Sequence, residues 1–551
     1  MKLCKWVTLS SLAIAVFSAQ AAKYQLVELP TSSLGANTFA QTIDEQGNVV
    51  VSVASPFNAP IDYSLIDFDN ETIQANLTDV EAARSGNPND EDYIWLVTNV
   101  VRPGLNSSFA QQLQPFVSYV TDGVQVEYIA GFDQVNNELG GFTWSTATSV
   151  KDSLSGDFIV GTSTAPFFNV DYTDQNDNEL TYVVREHARR GFVQVNGETK
   201  PLLAVENLIG GRSEANAINQ GLAVAGGSTV EFTDALIDLA AECESDEDRG
   251  DRPIEACYDN LQDSLTSSSE RRATIWQLDQ FGNVIDTKVY PLLFTPEEDD
   301  TRRYVSSAVD INDNGVAIGS SNYLKNDFPY EAAVVFRDDT VTAMVDTEEE
   351  TSSRGVAINN NNLATGVVGR TIVGQSRTKF FIHDVDSGET VFPDDFFPGS
   401  ASVGLAINDN NIVVGTGEVD ARLVPSSERR SEAFIYYHNE QLFQNLNDLL
   451  PCDSPFTLIQ ARGINNSNEI AADAIITRNQ KDPLGNDVLD ADGNPIPVTT
   501  VVAVKLIPTG GEIDDCGEEE ELLERQAGST GLGFLATILL GLVARRRLQG
   551  K

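Results

Sequence analysis

The sequence predicts an all-β chain built from repeats, and the architecture expected is a β-propeller of seven to eight irregular blades. Three observations carry this: a recurring turn phrase, its spacing, and a short apolar strand that follows it. The phrase reads Ala217-Ile218-Asn219-Gln220-Gly221-Leu222-Ala223-Val224-Ala225-Gly226 and returns at 309–319, 357–366 and 406–415, then at 463–472 without its last glycine. A weaker form starts at Thr42. The anchoring residues Ile218, Ile311, Ile358, Ile407 and Ile464 are 93, 47, 49 and 57 residues apart. Periods of about 40–50 residues belong to solenoids and propellers. The double-length first gap predicts a degenerate copy, including an acidic loop, between Ile218 and Ile311.

Each copy has a local physical reading. Asn and Gly in Asn-x-x-Gly or Asn-x-x-Asn close tight turns, because Asn bonds its own backbone and both residues tolerate positive φ. The small and β-branched residues that follow suit a closely packed strand, so the phrase reads strand, turn, strand. Glu331–Phe336, Lys379–His383 and Glu432–Tyr437 are short apolar strands after it, and Arg272–Trp276 is expected to be the hidden copy's equivalent. Four short strands per period make one blade. No long amphipathic helix pattern interrupts the region. Upstream, Asp157–Ser163 reads as the end of another blade with Gly141–Trp144 as an aromatic strand beside it, while polar 81–92 reads as a loop.

The two ends read differently. Lys2 and Lys5 precede an apolar run to Phe17, then Ser18-Ala19-Gln20-Ala21-Ala22, the pattern of a signal peptide cut after Ala21. At the other end, residues 528–544 carry no charge and stop at Arg545-Arg546-Arg547. Such a helix is about 25 Å long against a hydrocarbon core of about 30 Å, a marginal span, and the arginines place its end in the cytoplasm. The expected organisation is a signal peptide at 1–21, an N-terminal β region at 22–200, repeats at 201–510 with an acidic disulfide loop at 236–272, an acidic linker at 511–528, and a membrane tail at 529–551.

Composition restricts partners. Of 36 basic residues, six (Lys2, Lys5, Arg545, Arg546, Arg547, Lys551) lie in the end segments, leaving 30 against 82 acids and a net charge of −52 on the body. That charge repels nucleic acid and anionic membranes. Four cysteines remain outside the signal peptide, an even number that in an exported protein favours disulfides. Of three pairings, near-neighbour Cys243–Cys257 and Cys452–Cys516 are preferred.

The glycine-rich approach (Gly528, Gly531, Gly533), apolar segment and arginine cluster resemble the Gly-Gly C-terminal sorting tail of Gram-negative bacteria, although no adjacent pair of glycines occurs within it. The two repeat halves resemble the HAF repeat. Together they resemble an exported gammaproteobacterial family with HAF-type repeats and a rhombosortase-type tail. That resemblance implies signal peptidase, a rhomboid-type sorting protease and the type II secretion machinery as partners. It further implies transient anchoring in the inner membrane, then an outer-surface or extracellular location after tail cleavage. It brings no reaction with it.

Chemistry is sparse in the sequence. His187, His383 and His438 match no metal spacing. Asp310, Asn312 and Asn314 open like a calcium loop, but the twelfth position is Ser321, and Ala217, Ala357 and Ala406 replace Asp310 in other copies. Plain turn chemistry is the preferred reading and calcium there, or at Asp490-Ala491-Asp492-Gly493 and Asp171, Asp174 and Asp177, the alternative. There is no Gly-x-Ser-x-Gly elbow and no phosphate loop. The expected function is non-catalytic binding at the surface or outside the cell, in adhesion or in contact with matrix or a polymer. The alternatives are a secreted hydrolase or lyase using carboxylates on an extracellular polymer, and a purely structural envelope protein.

Overall fold

Seven four-stranded antiparallel sheets follow one another along the chain. The computed structural model describes residues 23–511 and 513, apart from 103–110, 138, 263, 298, 351, 373 and 422–428. Blade 1 is Gly35–Ile43, Val49–Pro56, Phe116–Thr121 and Val126–Ile129; blade 2 is Ser149–Leu154, Phe158–Ser163, Arg190–Val195 and Glu198–Leu202. Blades 3 to 6 begin with Ser213–Ile218, Ser306–Ile311, Ser353–Ile358 and Ser402–Ile407. Blade 7 takes Thr457–Ile464, Ile470–Asn479 and Pro497–Pro508 from the end of the chain and its outer strand, Tyr24–Glu28, from the start. That pairing, from Tyr24 opposite Pro508 to Glu28 opposite Val504, closes the ring. The fold is a seven-bladed β-propeller.

Packing follows the ring. Each seam between neighbouring blades holds its own apolar cluster, such as Val160, Val193, Ile218 and Trp276 between blades 2 and 3, or Phe380, Ile407, Phe434 and Tyr436 between blades 5 and 6. Hydroxyls reinforce these seams. Ser213, Ser306 and Ser353 Oγ and Thr38 Oγ1, on inner strands, accept the N–H of Gly191, Ala273, Ala333 and Ala503 on the preceding blade at 2.8–3.0 Å.

The innermost strand of every blade carries an extra residue, at Gln41, Lys151, Asn216, Val309, Val356, Leu405 and Arg462, and blade 7 has a second at Ile459. A bulge bends the strand and sharpens its twist. It also drives the preceding carbonyl toward the second strand, and the last glycine of the phrase makes room for it. A Cβ on Gly226, Gly319 or Gly415 would lie 1.8–2.0 Å from the carbonyl oxygen of Glu214, Ser307 or Val403.

Several expectations are corrected. There is no hidden copy: Arg272–Trp276 lies in the third strand of blade 3, and the 93-residue gap is one blade with an insertion after Phe232. The acidic loop in that insertion is a helical hairpin, Asp234–Glu244 and Ile254–Gln262, tied by the Cys243–Cys257 disulfide. Polar 81–92 is no loop either, since helices Val80–Arg84 and Asp90–Leu96 cover much of it, following a further short helix at Glu71–Asn76. These helices are too short to display a period. Asn70, Asp79 and Asn89 are their N-caps. Among the described residues Gly141-Phe142 pairs only with Val135-Asn136, outside the blades, whereas Phe158–Ser163 is the second strand of blade 2. Residues 35–202 therefore form two blades of the same ring as the repeats.

Cys452 is disulfide-bonded. Cys516, the signal peptide with Ala21, and the tail with Gly528, Gly531, Arg545, Arg546 and Arg547 lie outside the described residues. Among the described residues no helix is long and apolar enough to cross a membrane.

Candidate functional site at the propeller axis

The turn phrases converge on one cavity of about 220 Å³ to which all seven blades contribute. Its wall is a ring of Ile43, Ile218, Ile311, Ile358, Ile407 and Ile464, with Ser153 in the seventh place. Around it stand Asp44, Glu45, Asp152, Asp313 and Asp409 among amides, and among the described residues that line it there is no lysine or arginine.

Two hydrogen-bonded belts hold this ring. In the first, each turn asparagine folds its own turn and grips the next blade. Asn359 Oδ1 accepts the N–H of Asn361 and Leu363 at 3.0 and 2.9 Å, while its Nδ2 donates to the carbonyl of Asn408 at 2.9 Å. The same grip runs from Asn219 to Asn312, Asn312 to Asn359, Asn408 to Asn465, and Asn465 to Asp44, at 2.8–3.2 Å. Asp44 closes its turn equally well, accepting from Gln46 and Asn48 N–H. A carboxylate has no N–H to pass on, and the corresponding position in blade 2 is Leu154, so the belt opens between blades 1 and 3.

The second belt uses the next residue of each turn. The backbone N–H of Gln220, Asp313, Asn360 and Asp409 donates to the side chain of Asp313, Asn360, Asp409 and Asn466 in turn, at 2.8–2.9 Å, and Asn466 N–H donates to Glu45. Asn360 Nδ2 also bridges Asp313 Oδ2 and Asp409 Oδ2 at 3.0 and 3.1 Å. Amides thus separate the carboxylates around the rim and lower their repulsion. The fourth turn position takes positive φ at Gly47, Gly315, Asn362, Asn411 and Asn468, as the turn reading requires, and also at Leu222, where the phrase has neither glycine nor asparagine.

Two carboxylates lie where the bulged strands enter these turns. Asp152 Oδ2 accepts Ile218 N–H at 2.9 Å and Asp310 Oδ2 accepts Ile358 N–H at 2.7 Å, each reaching the following blade. Burial raises both acids, Asp152 to about 7 with further upward pressure from Asp310 and Asp44, and Asp310 to about 6. A proton held more tightly in the folded state stabilises it below the unfolded value near 3.8, and that contribution is lost as pH rises through 6 to 7. Asp152→Asn is therefore expected to match the native protein near pH 4 and exceed it by about 3 kcal/mol at pH 8. Urea unfolding at the two pH values checks this; a constant difference would contradict the assignment.

The calcium candidates do not converge. Asp310 spends its oxygens on Ile311 and Ile358 N–H, Asn312 holds its own turn and Asn359, and Asn314 donates to Asn360 and Asn362. Asp174 and Asp490 close Asp-x-x-x-Asn turns through Asn178 and Asn494 N–H. The histidines stand apart: His187 is buried edge-on against Phe132, His383 Nδ1 lies 2.9 Å from Thr390 Oγ1, and His438 sits beside Tyr436. Among the described residues no group of three or more His, Cys, Asp or Glu is placed to hold a metal ion. Sequence reasoning missed Asp152 and Ser153, because Asp152-Ser153-Leu154-Ser155 has neither the isoleucine nor the asparagine of the phrase. The only signal was Gly156, followed by the strand at Phe158.

A protein-family model described as "Protein of unknown function (DUF3466)" matches residues 2–548. The chain belongs to this family. No curated protein matches it. Among solved structures, it is similar to the β-propeller domain of the Trilobed protease from Pyrococcus furiosus, with 10% identity over 64% of this chain and 95% of that one and a TM-score of 0.30. TolB from Acinetobacter baumannii is 9% identical over 90% of this chain and 98% of that one, TM-score 0.28. The Hadza microbial sialidase Hz136 is 6% identical over 72% and 73%, TM-score 0.30. At these scores the strand order of the chain itself, not the likeness, defines the fold.

Proposed function

We propose that this DUF3466 protein is an exported, non-catalytic binding protein that meets its ligand at the propeller axis, in adhesion or in contact with matrix or a polymer. The observation that carries the reading is the convergence of seven turns, from residues as distant as Asp44 and Asn466, on one acidic cavity. Most of the polar groups there are committed to the belts, which makes the rim rigid before any ligand arrives, and preorganisation lowers the cost of binding. A second reading, a secreted hydrolase or lyase, draws on Asp152, because a carboxyl titrating near 7 suits a general acid.

Export belongs to the same proposal. Signal peptidase would cut after Ala21, three residues before the strand at Tyr24 that closes the ring. The Cys243–Cys257 bridge suits an oxidising compartment. The tail would hold the chain briefly in the inner membrane until a rhomboid-type protease releases it to the type II secretion route. Intact masses from medium and membrane fractions test this. A secreted species beginning at Ala22 and ending near Gly528–Gly531 is expected; a full-length chain confined to membranes would refute tail cleavage. Turnover of an extracellular polysaccharide that disappears in Asp152→Asn would favour the hydrolase instead.

A further inference from the structure

We propose that the axial cavity takes a primary ammonium group on an unbranched aliphatic stem, either a free alkylamine or a lysyl side chain. The inference rests on the reading of the axis as the binding site and names the ligand chemistry. Three features of the cavity carry it.

The first is its division into an apolar ring and a charged rim. Ile43, Ile218, Ile311, Ile358, Ile407 and Ile464 surround the axis with methyl and methylene groups, each 6–8% exposed. Such a ring suits a narrow chain of CH2 groups and repels a hydrated ion. Around the same cavity stand Glu45, Asp152, Asp313 and Asp409 with no cation among its lining residues, so its charge is uncompensated. An ammonium on a four- or five-carbon stem meets both demands at once, as the lysine side chain does when its stem lies on apolar surface.

The second is the arrangement of the acids. Asn360 stands between Asp313 and Asp409, and Asn466 donates to Asp409 and Glu45, so the oxygens are distributed around the rim and already accept N–H groups. A divalent cation needs several oxygens converging at short range after shedding water. An ammonium needs only a few acceptors around three N–H donors.

The third is Ser153. It takes the place that isoleucine fills in the other six blades, it is only 7% exposed, and its Oγ makes no hydrogen bond among the described residues. A buried hydroxyl without a partner is destabilising. Here it lines the cavity next to Asp152, whose Oδ1 accepts the Ser153 N–H at 2.8 Å. Hydroxyl and carboxylate together offer acceptors to an ammonium at the one gap in the isoleucine ring.

The test uses the full chain expressed in its host, titrated calorimetrically with 1-pentylamine, 1-pentanol, calcium and a short lysine-containing peptide. Pentylamine is expected to bind, pentanol at least tenfold more weakly. Ser153→Ile installs the residue six blades already carry, so the fold is retained, as an unchanged melting temperature would verify; it is expected to weaken pentylamine binding at least tenfold. Asp152→Asn should weaken it as well. Tighter binding of the peptide would assign the source to lysyl side chains, and tighter binding of pentylamine to free amines. Equal binding of pentanol, lost in Ser153→Ile, would keep the axial site and overturn the ammonium class. Calcium binding that Asp152→Asn abolishes, without amine binding, would replace the ammonium by a metal. Amine binding indifferent to Ser153→Ile, or no binding by any probe, would overturn both the inference and the reading of the axis as the site.

Discussion

Asn359→Ala is expected to destabilise the propeller by about 2–4 kcal/mol, from the orphaning of N–H groups at a buried turn. Asn359 is 3% exposed, and its side chain accepts from Asn361 and Leu363 N–H while donating to Asn408 O and Asn411 Oδ1. Alanine removes all four bonds and, with them, one of the two belts' ties between blade 5 and blade 6. Asn359→Asp separates the two roles. The carboxylate still closes the turn, as Asp44 does in blade 1, but it faces the Asn408 carbonyl with no hydrogen to offer. At pH 8 its destabilisation should match that of alanine, and near pH 4, where the acid is protonated, it should fall to less than half. Chemical denaturation at both pH values measures this. A small loss for Asn359→Asp at every pH, beside the full loss for alanine, would mean that the turn, not the grip between blades, is what matters.

Gly415→Ala is the second large effect, about 3 kcal/mol or more, the upper range for overpacking. The new methyl would sit 1.9 Å from the Val403 carbonyl oxygen and 2.9 Å from the Phe434 ring. Neither neighbour can move freely, since Val403 lies beside the bulge of its strand and Phe434 is buried in the seam between blades 5 and 6. Gly369→Ala is the control. Its nearest neighbours are 3.7 and 3.8 Å away, ordinary contact distances, and the change is expected to stay within about 0.5 kcal/mol. Thermal unfolding of the pair distinguishes a steric requirement from a general intolerance of strand substitutions; equal losses at both sites would refute the bulge argument.

Much of the blade was legible in the sequence because its signals are local. Asn359 and Leu363 are four residues apart, and the bond between them is made within the turn; the alternating small and β-branched residues after it need only their own strand. The second glycine of the phrase was visible as a repeated letter. Its cause was not, since the extra residue opposite it shows only once two strands are paired. The insertions were misread for a related reason. The helix Val80–Arg84 has five residues and Asp90–Leu96 seven, too few for a helical period, and the hairpin at 234–262 lengthened blade 3 until one unit counted as two.

What the sequence determined by itself is therefore the unit: all-β, strand-turn-strand, repeated, with asparagine where a side chain must both accept and donate. The tertiary structure decided the rest. It set the number of blades at seven, joined Tyr24–Glu28 to Pro497–Pro508, and brought Asn465 against the carbonyl of Asp44, 421 positions away. It also brought Ser153 and Asp152, which resemble nothing in the repeat, into the ring of isoleucines. The physical reason is one of range. Turn and strand preferences act over a few residues, whereas ring closure and a shared axial cavity depend on how much each blade twists against the next, a sum over seven seams that no single segment contains.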